Sequence, residues 1–234
     1  MGFSPYACYL CALMEIKLRD DIAFLFDLNG TMIDDMRYHI HAWHRIFNSL
    51  GGNISLERMK EECYGKNHEV IERVMPGRFT EYEKDLMSIE KEKEYQKTYK
   101  PHLKLLPGLN AFLQRSYEAG IPMAIGSAAI MFNVDFVLDN LNLRKYFQAI
   151  VSADDVKKSK PDPETYLKCA EQLHIDPKKC IVFEDAPKGV ESAANAGMKS
   201  IVLTNLHDEH EFTDDGIIGF IKDYNDPLIK FRPF

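Results

Sequence analysis

Residues 22–31 read Ile-Ala-Phe-Leu-Phe-Asp-Leu-Asn-Gly-Thr. The apolar, aromatic-containing run from Ile22 to Phe26 predicts a buried strand. It stops at Asp27, and Asn29-Gly30-Thr31 then breaks the pattern as a loop does. From Met36 the period changes. Met36, Ile40, Trp43, Phe47 and Leu50 recur at three- and four-residue steps, which predicts an amphipathic helix ended by Gly51-Gly52.

From about Ile54 to Tyr99 the spacing stays helical and no β-rich run appears, so a small helical unit is inserted in the chain. Its charged stretch from Glu81 to Lys97 reads as an exposed helix with spaced ion pairs. Beyond it strand and helix alternate. Strands are expected at Pro122–Gly126, Ala149–Ser152, Cys180–Phe183 and Ser200–Leu203. Helices are expected after Pro107-Gly108, around Val134, Leu138 and Leu141, at Pro163–Leu173 and at Pro187–Ala196. This predicts an α/β fold, a Rossmann-like parallel sheet with helices on both faces. The expected division is an N-terminal extension at 1–20, a core at 21–35 and 104–234, and an all-helical insert at 36–103.

Ligands of such sheets sit at the carboxyl ends of the strands. The residues expected there are Asp27, Gly126-Ser127, Lys160 after a short loop, and Glu184-Asp185. Carboxylates gathered at one point repel, and a hard divalent cation relieves that; magnesium prefers such oxygen donors. Asp27, Asp185 and a backbone carbonyl would hold it. Lys160 and Ser127 would face the oxygens of a phosphate, and a free oxygen of Asp27 could attack phosphorus.

These four ordered segments resemble the motifs of the haloacid dehalogenase superfamily, and the likeness runs from about Ile22 to Leu203. Asp27 to Trp43, and Asp185-Ala186-Pro187-Lys188-Gly189-Val190, are most similar to its β-phosphoglucomutase-like subfamily. There a helical cap is inserted after the first motif, where 36–103 falls. The resemblance implies a phosphatase with Asp27 as nucleophile and Mg2+ held by Asp27, the Asn29 carbonyl, Glu184 and Asp185. It implies substrate contacts at Thr31, His39, Gly65, His68, Gly126, Ser127 and Lys160. His68 stands near the place of a basic residue that holds a second phosphate, although on its own pattern it reads as a surface residue. His39 stays open between cap-hinge chemistry and packing.

The sequence departs from the subfamily at Asn29, where phosphatases carry a second aspartate as general acid and base. Three consequences stay open: substrates with good leaving groups, a substitute such as His39 or Asp34, or a phosphate-ligand binder with negligible turnover. A phosphosugar mutase is the other alternative, weakened by the absence of the subfamily's Lys-Asn after Ser127. The dipeptide Asn29-Gly30 also has the form that favours deamidation, which would restore an aspartate. Dehalogenase chemistry, which needs no metal, fits poorly with Glu184-Asp185.

The formal net charge of -7 and the mixing of acidic with basic residues exclude a nucleic-acid footprint. Cys8, Cys11, Cys63, Cys169 and Cys180 are odd in number and scattered, as expected of reduced thiols in the cytoplasm. Cys8 and Cys11 read as apolar residues rather than a redox pair. The apolar run Tyr6 to Met14 is too short to span a bilayer. The expected partner is a small phosphorylated metabolite, with no nucleic acid, no membrane and a monomeric state.

Overall fold

The computed structural model describes residues 22–229. The expected extension at 1–20, with Cys8, Cys11 and the Tyr6–Met14 run, lies outside the described residues. Six strands form one parallel sheet: β1 (Ala23–Phe26), β2 (Met123–Gly126), β3 (Ala149–Val151), β4 (Cys180–Glu184), β5 (Lys199–Leu203) and β6 (Ile217–Ile221). Their spatial order is β3-β2-β1-β4-β5-β6. β1 therefore lies inside the sheet, with β2 and β3 built outward on one side of it and β4, β5 and β6 on the other. Such a reversal opens a crevice at the carboxyl ends of the strands on either side of it. β1 pairs with β2 through Phe26 and Ile125, and with β4 through Phe26 and Phe183.

The sheet is covered on both faces because its residues alternate between them. On one face Phe24, Phe26, Ile125 and Phe183 pack with Leu109, Phe112 and Leu113 of α5 (Leu109–Glu118) and with Val134, Val137 and Leu138 of α6 (Met131–Asn140). The Phe26 and Phe183 rings stack at 4.8 Å between centroids. On the other face Ala23, Leu25, Ala124 and Val182 pack with Tyr166, Cys169 and Ala170 of α7 (Glu164–Leu173) and with Ala193 of α8 (Pro187–Asn195). Every residue of β1 is buried, so its direction and the position of Asp27 at its end are fixed by the core.

Residues 36–103 contribute α1 (Met36–Ser49), α2 (Leu56–Glu62), α3 (Asn67–Val74) and α4 (Glu81–Tyr99), and no strand. Ile40, Trp43, Phe47, Met59, Val70, Ile71 and Val74 make an apolar cluster of their own. Thr80 caps α4 by accepting from the Glu83 N–H, while the Glu83 carboxylate accepts from the Thr80 N–H. The structure corrects one expectation for α4. Lys84, Ser88, Lys91, Glu92, Tyr95 and Tyr99 are buried, so this charged helix is not a solvated rod. Its buried stripe recurs every three or four residues and pairs its charges internally.

The sequence reading stopped at β5 and did not anticipate β6. Gly219 interrupts that short apolar run, and a Cβ at this glycine would stand 2.2 Å from the Leu228 side chain. No described helix is long and apolar enough to cross a membrane.

Candidate active site

The loop leaving β1 places Asp27 against the end of β4. The Asp27 N–H donates to the Phe183 carbonyl at 3.0 Å, which locks the two strand ends together. Gly30 turns the loop with φ +82°, and its missing side chain matters: a Cβ would lie 2.0 Å from Asp185 Oδ2. This close approach brings Thr31 beneath Asp185, where its hydroxyl donates to Oδ1 at 3.0 Å. Asp27, Glu184 and Asp185 each present a carboxylate oxygen within 4.8 Å of the others.

Lys160 enters from the loop before α7. Its ammonium donates to Asp27 Oδ1 at 2.6 Å and to Glu184 Oε1 at 2.8 Å. All four of these charged residues are buried. Glu184 is saturated: Oε1 also accepts from the Tyr166 hydroxyl at 2.9 Å, and Oε2 accepts from the N–H groups of Asp185 and Ala186. Gly189 leaves room for this side chain, since a Cβ there would collide with Oε1 at 1.7 Å.

The electrostatics follow from the crowding. Burial pushes the Asp27 carboxyl up to about 7, against the pull of Lys160. Burial, with Glu184 and Asp27 adding repulsion, drives Asp185 well above the ordinary carboxylate range. Lys160 moves the other way. Burial would lower it, but the two carboxylates on its ammonium outweigh that and raise it.

Above the carboxylates lies a cavity of about 310 Å³, walled on one side by strand ends and on the other by α1 to α4. Asp27, Asn29, Lys160, Glu184 and Asp185 form its floor, while Trp43, Gly65, Asn67, Lys91 and Glu92 line its other side. Contacts that hold the helical side down include Lys66 Nζ on the Val156 carbonyl, the Ser159 hydroxyl on Glu69, and Asn133 on Glu92.

Of the residues singled out from sequence, Asp27, Thr31, Lys160, Glu184 and Asp185 meet directly. Gly126 and Ser127 end the neighbouring strand β2; Ser127 is fully buried, and its hydroxyl oxygen accepts from the Ala129 N–H at 3.1 Å. Gly65 reaches the cavity with φ +78°. His39 lies beside Asn29, with 3.2 Å between Nε2 and Nδ2. His68 turns the other way, to Glu81 at 3.1 Å and Asp85 at 2.9 Å, both exposed. Asp34 is exposed and stands apart from the cavity-lining residues.

Several residues around Asn29 were not anticipated. Asp35 is buried and accepts from Asn29 Nδ2 at 2.6 Å, from His39 Nε2 at 3.2 Å and from the Tyr95 hydroxyl at 2.5 Å, all on Oδ2. Lys91 lies 2.7 Å from His39 Nδ1 and 2.8 Å from Glu92 Oε1. Burial works to raise Glu92, but Lys91, His39 and Asn67 together hold it below its ordinary value. Tyrosines at 95 and 99, falling in step with Ser88 and with Lys91 or Glu92, were the available signal for this buried face.

Comparison with known proteins agrees with this fold. The chain is 28% identical over 177 residues to the fructose-1-phosphate phosphatase of Escherichia coli, covering 76% of this chain and 93% of that one. It is 30% identical over 188 residues to the β-phosphoglucomutase of Bacillus subtilis, covering 76% and 81% respectively. A solved family IA hydrolase from Entamoeba histolytica superposes with a TM-score of 0.79 at 28% identity, over 87% of this chain and 94% of that one. Residues 24–203 match the family model itself, an interval running from β1 through β5 and including every carboxylate of the floor, and this chain belongs to the haloacid dehalogenase-like hydrolases.

Proposed function

We propose that the protein is a magnesium-dependent phosphatase that uses Asp27 as nucleophile on a small phosphorylated metabolite or phosphoanhydride. The observation that carries this reading is the meeting of Asp27 and Asp185, from two strand ends, with Lys160, from the loop before α7, on the floor of one cavity. The relatives named above, which act on phosphorylated carbohydrates by their names, point the same way.

The floor fits a hard divalent cation. Its donors are all oxygens, and burial, with repulsion from neighbouring carboxylates, raises Asp27 and Asp185, a cost that a bound cation would offset. Asp27, Asp185 and the Asn29 backbone carbonyl would hold the ion, while the saturated Glu184 would keep Lys160 in place. Bound there, magnesium would neutralise charge shared by the carboxylates and the phosphate oxygens.

The chain's own groups do the rest. Lys160 would turn part of its hydrogen bonding from Asp27 to a phosphate oxygen, freeing the carboxylate to attack. The Ser127 hydroxyl, whose oxygen accepts from the Ala129 N–H, would donate its proton to another oxygen. Attack forms a bond from Asp27 to phosphorus and breaks the bond to the leaving oxygen. Water then attacks the same phosphorus and returns Asp27 as a carboxylate. Residues 36–103 would act as the cap, excluding bulk water and holding the remainder of the substrate against Trp43, Asn67 and Lys91.

The outward pairing of His68 leaves no cation at that position for a second phosphate, so hydrolysis is favoured over mutase chemistry. Three free cysteines among the described residues fit a reducing compartment, and we place the protein in the cytoplasm as a monomer. The test is phosphate release from a panel of phosphorylated compounds with and without magnesium, beside Asp27→Asn. Release that persists in the variant would overturn the reading.

A further inference from the structure

In displacement at phosphorus the leaving oxygen departs roughly opposite the attacking one, so it faces away from Asp27 into the cavity. The wall beside it must supply a proton or the group leaves without one. Asn29 begins that wall. Its amide has no exchangeable acid proton at neutral pH, and its Nδ2 is bound to Asp35.

His39 comes next. The Lys91 ammonium can only donate, so His39 Nδ1 accepts from it and Nε2 carries the ring proton toward Asp35 Oδ2. The short approach of Asn29 Nδ2 to His39 Nε2 is then two donors converging on one carboxylate oxygen. Glu92 takes Lys91 and Asn67 on Oε1, and Asn133 on Oε2 at 2.6 Å. On the opposite rim His207 and Lys188 are paired with Glu211 and Glu191. Asn29, His39 and Lys188 thus each direct a proton at an acceptor beside them.

We propose that the protein selects phosphoryl donors whose leaving group departs as a stable anion, acyl phosphates and other mixed anhydrides, and works poorly on alkyl phosphate esters. The inference rests on the reading that Asp27 attacks phosphorus. With an acyl phosphate, the bond from phosphorus to the acyl oxygen breaks, the bond to Asp27 forms, and the electron pair leaves on a carboxylate. No proton moves. An alkyl ester would have to expel an alkoxide. The water that later attacks phosphorylated Asp27 also finds an amide, and no carboxylate, at position 29. Its proton passes to the phosphate product or to solvent, and the phosphoenzyme accumulates.

The experiment compares acetyl phosphate, 4-nitrophenyl phosphate and glycerol phosphate, with magnesium, on the full chain and on the exchanged pair Asn29→Asp with Asp35→Asn. The exchange moves the carboxylate to the cavity side while keeping an amide against it. Expected is a rise of about 10²–10⁴-fold in kcat/KM for glycerol phosphate in the exchanged protein, the usual worth of acid–base assistance. The preference for acetyl phosphate over glycerol phosphate, as a ratio of kcat/KM values, should fall by a similar factor. Intact mass after mixing the unaltered protein with acetyl phosphate should show a phosphoryl adduct, absent in Asp27→Asn. If thermal unfolding shows that the exchanged protein does not fold, a series of aryl phosphates on the unaltered protein decides, a steep dependence on leaving-group acidity being expected and a flat one overturning the proposal. Glycerol phosphate cleaved by the unaltered protein as fast as by the exchanged one, and lost in Asp27→Asn, overturns this inference and leaves the phosphatase reading standing. No transfer from acetyl phosphate and no adduct overturns both.

Discussion

Replacing Lys160 by Met removes the cation that sits 2.6 Å from Asp27 and 2.8 Å from Glu184. Methionine keeps most of the stem volume, so the loss is chiefly of charge, including the ammonium's place over the Tyr166 ring. Breaking a buried pair by removing one partner costs about 3–5 kcal/mol. At roughly 2–4 °C per kcal/mol for a chain of this size, the melting temperature should fall by about 6–20 °C. The loss should depend on pH. Burial has already raised Asp27 from its ordinary 3.8 to about 7. A carboxyl raised in this way favours the fold at acid pH, below its unfolded value, and that contribution is lost as pH climbs through the folded one. Without Lys160 the carboxyl rises further, so the variant should lose most stability at about pH 8 and least at about pH 5, where protonation relieves the repulsion. Millimolar magnesium should recover part of the loss at the higher pH only. Calorimetric unfolding of both proteins, with chelator and with magnesium, measures all of this. A loss equal at the two pH values, or below about 1 kcal/mol, would refute the view that Lys160 compensates a crowded acidic floor.

Gly30→Ala would force a Cβ to within 2.0 Å of Asp185 Oδ2 at a φ of +82°. Activity should drop by more than about 10²-fold with weaker magnesium binding by calorimetric titration; unchanged affinity would mean that Asp185 is not held by this approach. His68→Ala should leave kcat and KM within about 2-fold of the unaltered protein, the effect usual for an exposed pair, because its ring is engaged by Glu81 and Asp85 at the surface. Asn29 should remain an amide on storage. The Gly30 N–H donates to the Ile33 carbonyl at 2.9 Å, and the Asn29 side chain is held on Asp35, so the attack that starts deamidation is blocked. Peptide mass spectrometry of aged protein showing aspartate at position 29 would contradict this.

The strands that matter for chemistry were legible because each is short, apolar and stopped by a polar residue at the edge of the core. Asp27, Lys160 and Glu184-Asp185 announced themselves in that way, and long-range pairing then brought them together. What stayed hidden was the wall around Asn29. Asp35, Lys91 and Glu92 are charged residues in stretches that look solvated, and only the docking of α4 onto α1 and α6 turns them inward. Periodicity reports which residues share a helix face; it does not say whether a face carrying Lys91-Glu92 meets water or a neighbour with complementary groups. β6 was lost for a related reason. Its Gly219 is crossed by Leu228, which follows β6 closely in the chain, a tertiary contact that strand alternation does not encode.

The same docking explains why the amide and the cap belong to one device. Asp35 Oδ2 collects three donors, one from the loop after β1, one from α1 and one from α4, while Oδ1 is buried with no partner. An unsatisfied buried acceptor costs about 1–3 kcal/mol, and an apolar replacement of the set would cost the fold less. A purely structural origin therefore explains poorly why a carboxylate stands here. Its charge gathers Asn29, His39 and Tyr95 to one point, so the orientation of the amide beside Asp27 depends on α4 being in place. Glu92 extends that dependence to Asn133 of α6, on the core side. Both sets of hydrogen bonds join residues 36–103 to the rest of the chain, so the leaving-group side of the cavity is organised by groups from both.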